Sequence, residues 1–366
     1  MRIYNFPNPY PGELFYSAIA RFKLREGMNR SNIGNILFDN RQQEISFPCV
    51  KNLQTVCTNL GSSYTPEEII DNHSLLYIYL PFLDFEKQQL LLDNILMKDL
   101  DKRCCIDLDG LSLDKDRFVM YCPVCAKEDM ELYGETYIHR EHQIPKIKTC
   151  YKHGTKLLDY SFDYNKFGDL CNLDYSNMLT TSDLDKELNW KIAKDASDFL
   201  NLHRICSKED FAEKYIAIFT NAGYCYNSQQ IDKNRISHDY LEFYGQEFIQ
   251  KFTDIGLLDK NNFNEYTNWI CSLKSQSLLQ HILLLNFFGI SITQFYDINE
   301  GLDLNQTFPS RIKSIKDERT DDEKICKQLK HFYERRAKEA YKYKELMLET
   351  MFKGIGLKHW RNLIKD

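Results

Sequence analysis

The sequence predicts a mainly α-helical protein. It has an N-terminal helix-turn-helix domain, a short segment folded around a structural metal, and a helical C-terminal domain with further helix-turn-helix units. Three observations predict this. Apolar residues recur at helical spacing through most of the chain. Helix start and stop signals bracket those stretches. Between the helical halves stands "YCPVC…KTCYKHG", two ligand pairs each with a two-residue gap. The expected division is 1–100 for the first domain, 101–160 for the metal segment and 161–185 for a linker. A helical domain over 186–310 and a basic helical segment over 311–366 complete it.

Residues 9–39 read as two helices joined by a short turn. Leu14, Phe15, Ala18, Ile19 and Phe22 share one helical face. Gly27 is placed to end the first helix and Ser31 to cap the second. Arg21, Lys23, Arg25 and Arg30 cluster near the turn, so this pair is a candidate DNA-binding helix-turn-helix; an ordinary packing pair shows the same pattern. Next, Thr65 is an N-cap, Pro66 sits at the first helical position and Glu68 completes a capping box. The Ile69–Leu80 run reads as core, with His73 packed or hydrogen-bonded. Residues 100–121 fit short strands or loops.

In the metal segment Cys122, Cys125, Cys150 and His153 are the candidate ligands. A two-residue gap lets two donors from one tight turn reach the same ion, and two such turns complete a tetrahedron around zinc. Pro123 favours the first turn, and Gly154 suits a left-handed position after the second. Four protein ligands leave no place for a catalytic water, so the reading is a structural zinc finger holding one Zn2+. The competing reading is buried free thiols beside a core histidine. His139 and His142, between the two pairs, are either further ligands or residues that pack over the site.

The second half reads as helical. Ser207 and Asp210 open a helix to about Asn221. A short helix near 228–234 and a longer one over 237–252 follow, again with the look of a helix-turn-helix. Lys233, Arg235 and His238 near its turn are candidate DNA contacts. Buried helices end at Gly289. A last helix over about 321–352 has one apolar and one basic face, either solvated or turned to a partner.

The bulk properties exclude several classes. The 366 residues carry 12 Cys with no secretion signal in the first residues, which points to a reducing compartment. No apolar run is long enough to span a bilayer. The expected location is the cytoplasm of a bacterium, at the nucleoid. Phosphate-binding, nucleotide-binding, zinc-hydrolase and serine-hydrolase motifs are absent, and the expectation is a non-enzyme. Net charge is −6, yet residues 311–366 hold 16 Lys and Arg against 10 Asp and Glu. An acidic protein can bind DNA through one basic face.

"FPNPYPGELFYSAIAR", "HSLLYIYLPFL" and "RFVMYCPVC…YGETYIHREHQIPKIKTCYKHGTKL" together resemble the TniQ/TnsD family of transposon target-site selection proteins. The family often has Trp where Ile138 stands. The second half, with "YLEFYGQEFIQKF" and "WICSLKSQSLLQHILLLNFFG", is more similar to TnsD than to the short TniQ adaptors. TnsD-type members are usually longer, with further DNA-reading modules toward the C-terminus. The resemblance implies zinc ligation by Cys122, Cys125, Cys150 and His153. It implies binding of a double-stranded attachment site and recruitment of the AAA+ ATPase TnsC, which licenses transposase subunits. The alternative is a TniQ-type adaptor that links TnsC to an RNA-guided CRISPR effector. Phe6, Tyr10 and Glu13, in an extended proline-rich lead, are the candidate TnsC contacts, with packing on the first helix as the other reading.

Overall fold

The computed structural model describes residues 3–96, 118–161, 186–249 and 277–298, less residues 4, 44, 46–48, 62–63, 205–207, 228–229 and 246–247. The linker, the basic segment over 311–366 and the helix expected over 321–352 lie outside the described residues. So do most of the loops expected over 100–121.

The architecture is mainly helical, as expected. In the first half α1 (Phe15–Arg25), α2 (Arg30–Phe38), α3 (Leu53–Leu60), α4 (Pro66–His73) and α5 (Phe85–Leu96) surround a core of Phe15, Ile19, Phe22, Ile33, Leu37 and Phe38. Gly27 follows α1 with φ +60°, where a left-handed turn is needed. The cap of α2 falls two residues before the expected Ser31. Asn29 caps it by accepting from Asn32 N at 2.9 Å. Thr65 does cap α4, accepting from Glu68 N at 3.1 Å, with Pro66 in the first turn.

The "HSLLYIYLPFL" stretch is not a continuous helix. Ser74 ends α4 in extended conformation, and two single 3-10 turns follow at Leu76–Ile78 and Leu80–Phe82. Pro81 lacks the N–H that a continuing helix would use. Gln88 Nε2 holds the second turn by donating to Leu80 O (2.8 Å) and Leu83 O (3.1 Å). These turns present Phe82 to the second half, where it stacks on Phe199 at 5.9 Å and meets Phe211 edge-on at 5.6 Å.

The middle of the chain holds β1 (Phe118–Tyr121), α6 (Pro123–Tyr133), a 3-10 turn at Arg140–Gln143 and β2 (Leu158–Ser161). β1 and β2 pair antiparallel, from Phe118 opposite Ser161 to Tyr121 opposite Leu158. The second half contains α7 (Lys186–Asn201), α8 (Lys208–Asn221), β3 (Cys225–Asn227), β4 (Gln230–Ile231), α9 (Lys233–Tyr244), α10 (Leu278–Phe288) and α11 (Ile292–Asp297). The short helix expected near 228–234 is corrected. β3 and β4 form an antiparallel hairpin there, and Asp232 caps α9 by accepting from Arg235 N. The run "YCY", an aromatic and cysteine stretch of high strand propensity ahead of polar turn residues, is a strand signal that the expectation passed over.

α10 is the axis of the second half. Every residue but Gln280 is buried, and Gly289 ends it with φ +68°, as expected. His281 is fully buried within it, with Nδ1 2.5 Å from Tyr215 Oη and its ring against Phe211 (4.8 Å) and Phe295 (4.6 Å). Burial alone lowers its pKa from 6.5 to about 3. The imidazole is therefore neutral in the folded protein and titrates near 6.5 once unfolded. The stability it supports is complete above pH 6.5 and is lost as pH falls toward 3. Replacing His281 by Leu is expected to flatten the acid limb of a stability–pH curve between those values by a few kcal/mol. Denaturant titrations at pH 7 and pH 4.5 check this; identical pH slopes in both proteins would refute it.

Candidate metal centre

The two ligand pairs are brought together by short-range geometry. β1 delivers Cys122 to the N-cap of α6, Pro123 occupies the first helical position and Cys125 lies in the first turn. The second pair stands on a tight hairpin. Thr149 and Lys156 form an antiparallel bridge, Cys150 N donates to Thr155 O (2.8 Å) and Gly154 N to Cys150 O (2.9 Å). Gly154 adopts φ +63°, and a Cβ there would lie 3.2 Å from the ring of Trp190 on α7. The register Tyr121 opposite Leu158 sets the hairpin beside the start of α6.

The ligand atoms of Cys122, Cys125, Cys150 and His153 lie within 4.8 Å of one another. His153 Nδ1 is 3.6, 3.3 and 3.7 Å from the three sulfurs in that order, and the Cys125 and Cys150 sulfurs are 3.8 Å apart. In a tetrahedron with Zn–S near 2.3 Å and Zn–N near 2.0 Å, sulfurs sit about 3.8 Å apart and S···N about 3.5 Å. The donor set thus fits a zinc ion in both type and spacing.

The electrostatics agree with that fit. Hydrogen bonds from Cys125 and Cys150 draw the Cys122 thiol far below its ordinary range. Their contact with Cys122, chiefly, pushes Cys125 well above its range and Cys150 up to about 12. Three thiols this close cannot share three negative charges without a cation. A divalent ion would stabilise all three as thiolates.

An outer layer orients the ligands. His153 Nε2 lies 3.2 Å from Glu128 Oε1, and Lys152 Nζ donates to the other oxygen at 2.5 Å. A carboxylate behind a ligating imidazole fixes its tautomer and orientation. Thr155 Oγ1 is 3.1 Å from the Cys122 sulfur. Neither spare histidine belongs to the cluster. His142 is buried on the 3-10 turn with Nε2 3.8 Å from the Cys125 sulfur, and burial lowers its pKa to about 3. His139 meets Asp129 Oδ2 at 2.8 Å and stacks on Tyr137. Both pack over the site.

The N-terminal lead is stitched to this same segment. Leu14 N donates to Ile138 O (2.9 Å), Arg140 N to Gly12 O (2.8 Å), and Glu13 bridges His139 in antiparallel fashion. Glu13, fully buried, accepts from Ser17 Oγ (2.7 Å), from Tyr10 N (2.8 Å) and from Arg21 through a two-bond fork at 2.9 and 2.8 Å. Arg21 also reaches Glu135 at 2.8 Å, as does Arg25 at 2.5 Å. Tyr10 donates to Glu135 (2.7 Å), lies under the Arg21 guanidinium and packs on Tyr133. Burial, more than the nearby Glu135, raises the Tyr10 pKa. His73 Nδ1 meets Glu13 O at 2.8 Å, a hydrogen-bonded role as expected.

This placement corrects two of the expectations. Arg21 is 3% exposed and committed to two carboxylates, so it is not on a DNA-facing surface. Phe6 and Glu13 are not a partner-facing surface either. Phe6 is buried against Phe15 and Phe22, and Glu13 holds the ion pair. Packing of the lead, the other reading, is what forms. Arg25 is half exposed beside Glu135, Lys23 and Arg30 are half buried, and Lys233 opens α9. Arg235 lies over the Tyr224 ring near Asp239, and His238 is exposed.

Sequence reasoning missed two further residues. Arg140 is buried, donates to Asp71 O on α4 and, at 2.5 Å, to Asn201 Oδ1 on α7, so it staples three parts of the chain. Trp190 Nε1 donates to Tyr151 O at 2.8 Å, which fixes the hairpin of the second ligand pair to α7. Arg140 stands among polar neighbours in "YIHREH", so neither it nor Trp190 carried a local signal.

Comparison with known proteins gives two matches to family models. Residues 5–157 match TniQ, and residues 192–311 match Tn7-like transposition protein D. The transposon Tn7 transposition protein TnsD of Escherichia coli is 27% identical over 157 residues, covering 41% of this chain and 30% of that protein. The similarity thus spans less than a third of that relative.

Proposed function

Because the chain belongs to the TniQ/TnsD family of transposition proteins, we propose that it selects the target site of a transposon. In this reading it is a non-enzymatic adaptor that binds double-stranded attachment-site DNA and recruits the AAA+ regulator TnsC, which engages the transposase. The observation that carries the reading is the succession of a TniQ module and a TnsD module in one chain. The second module favours direct DNA reading over an adaptor for an RNA-guided effector.

Cys122, Cys125, Cys150 and His153 would hold a zinc ion as a structural crosslink, and four protein ligands would leave no position for a substrate. The chain's own residues do the rest. Arg140 and Trp190 tie the zinc segment to α4 and α7, so the two helical halves are held at one angle. A fixed angle between DNA-contacting units sets the spacing of the sites they can read.

The test is a gel-shift scan of genomic fragments from a host of the transposon, at physiological salt. One fragment is expected to bind at least about a thousandfold more tightly than random duplex. Equal affinity for every fragment would refute sequence-specific selection. Retention of TnsC on immobilised protein with the preferred fragment, but not with random duplex, is the expected second result.

A further inference from the structure

The three ligand sulfurs are served by different hydrogen-bond donors. Three thiolates and a neutral imidazole around a divalent ion would leave one negative charge in excess, in a largely buried cluster. Donors aimed at the sulfurs stabilise such a charge. The second ligand pair supplies one from its own turn, since His153 N donates to the Cys150 sulfur at 3.4 Å. Cys122 faces the Thr155 hydroxyl at 3.1 Å. Cys125 is placed differently. It lies in the first turn of α6, and the N–H groups after it are used within the helix, beginning with Ala126 N to Cys122 O at 2.9 Å. Outside the ligand set its sulfur meets His142 Nε2, at 3.8 Å.

His142 is 1% exposed, and its Nδ1 has no partner among the described residues. Two tautomers are open to the neutral ring. A proton on Nδ1 would strand a buried N–H and turn the Nε2 lone pair toward a negative sulfur. A proton on Nε2 instead sets an N–H against that sulfur, a charge-assisted contact, and leaves one unpaired acceptor. The ring is held in this place. Gln143 clamps the 3-10 turn to β1, with Nε2 donating to Met120 O at 2.6 Å and Oε1 accepting from Met120 N at 3.0 Å. The His139 ring, itself paired with Asp129, lies 4.8 Å from that of His142. An apolar side chain of similar size would fill this space without an unpaired polar atom, so packing alone does not account for a histidine.

We propose that His142 donates its Nε2–H to the Cys125 thiolate of the metal-loaded protein, so that each ligand sulfur has a donor of its own. It is a positioning residue. It stands outside the four ligands and draws charge from the sulfur that α6 leaves without a backbone donor. The inference rests on the structural-zinc reading above.

The test uses the full chain, loaded with zinc or with cobalt(II) as its spectroscopic substitute. His142→Leu removes the donor, and His142→Gln returns an amide N–H near the place of Nε2. Groups that hydrogen-bond to metal ligands change metal affinity by about 10–100-fold. In competition with a chelator the leucine variant is therefore expected to bind zinc about 10–100-fold more weakly, and the glutamine variant to recover most of that loss. In the cobalt form the thiolate-to-metal charge-transfer band should move to lower energy with leucine and return with glutamine, because a sulfur without its donor gives up charge more readily. If the leucine variant does not fold, the wild type decides alone: NMR of the zinc-loaded, histidine-labelled protein should show the His142 proton on Nε2. Wild-type affinity and band position in the leucine variant overturn the inference and leave the structural zinc standing. Equal losses in both variants overturn it as well, by assigning His142 to packing, and so does a proton on Nδ1. A wild type that takes up no zinc overturns both readings.

Discussion

Replacing Cys150 with Ala is expected to remove the metal and unfold the middle of the chain. Wild-type protein should carry one zinc per chain and the variant none. The thermal midpoint should fall by far more than an ordinary core substitution allows. Zinc binding in small zinc-finger units contributes on the order of 10–16 kcal/mol, as much as the whole stability of a typical domain. The hairpin over 149–156 has no apolar core of its own to compensate, since the small cluster around it is Cys122, Cys125, Cys150 and Leu157. The loss would spread, because Leu14 and Gly12 pair with residues 138 and 140 of the same segment. Cys57→Ala is the control. It is a buried thiol on α3 outside the cluster, and burial pushes its pKa up to about 12. That variant should keep its zinc and lose only about 1 kcal/mol. Metal analysis and thermal melts decide between these outcomes. A Cys150→Ala protein that melts with the wild type would refute a structural metal.

Arg21→Ala is expected to cost about 3–5 kcal/mol, because removing one member of a buried ion pair strands the other. Glu13 would keep only Ser17 Oγ and Tyr10 N as donors, in a site with no solvent contact. Burial already raises the Glu13 pKa, with Arg21 the main opposing influence. Without the guanidinium the carboxyl would rise further, and protonation would relieve the deficit. The destabilisation relative to wild type should therefore be greatest at neutral pH and shrink as pH falls. Adding Glu13→Gln to Arg21→Ala should recover part of it at pH 7, since the stranded charge is gone. Denaturant melts of the single and double variants at two pH values test this. Wild-type stability with weakened DNA affinity would instead return Arg21 to the role that its basic neighbourhood suggested.

That arginine marks where the sequence stops being legible. The candidate metal ligands were readable because the chemistry is local: two donors separated by a two-residue gap define a turn, and Cys122, Cys125, Cys150 and His153 converge in the fold. The Thr65–Pro66 start of α4 and the Gly289 stop of α10 were readable for the same reason. Arg21 sits four residues from Arg25 beside a turn, and its local context matches a DNA-facing helix. Its fork to Glu13 spans eight residues, but the second carboxylate that holds it, Glu135, is 114 residues away. Phe6 and Glu13 misled because the prolines around them suggested exposure, while Phe6 packs on Phe15 and Phe22 and Glu13 is covered by the distant residue His139. The β3–β4 hairpin was lost to a polar "NSQQ" that suits a helix as well as a turn. Function was legible at the level of family, through motifs whose side chains turn out to stitch the N-terminal lead to the zinc segment.

The pairing of Gly12–Leu14 with Ile138–Arg140 also dictates an order of events during synthesis. The buried seat of Glu13 and Arg21 needs Glu135 and the backbone of residues 138–140. Until those residues leave the ribosome, that seat stays incomplete. At elongation rates of about 5–20 residues per second that interval lasts roughly 6–25 s. During it the Glu13–Arg21 pair lacks the cover of the middle segment. A chaperone that holds nascent chains for that interval would raise the yield of this protein, and pausing before residue 135 would lower it.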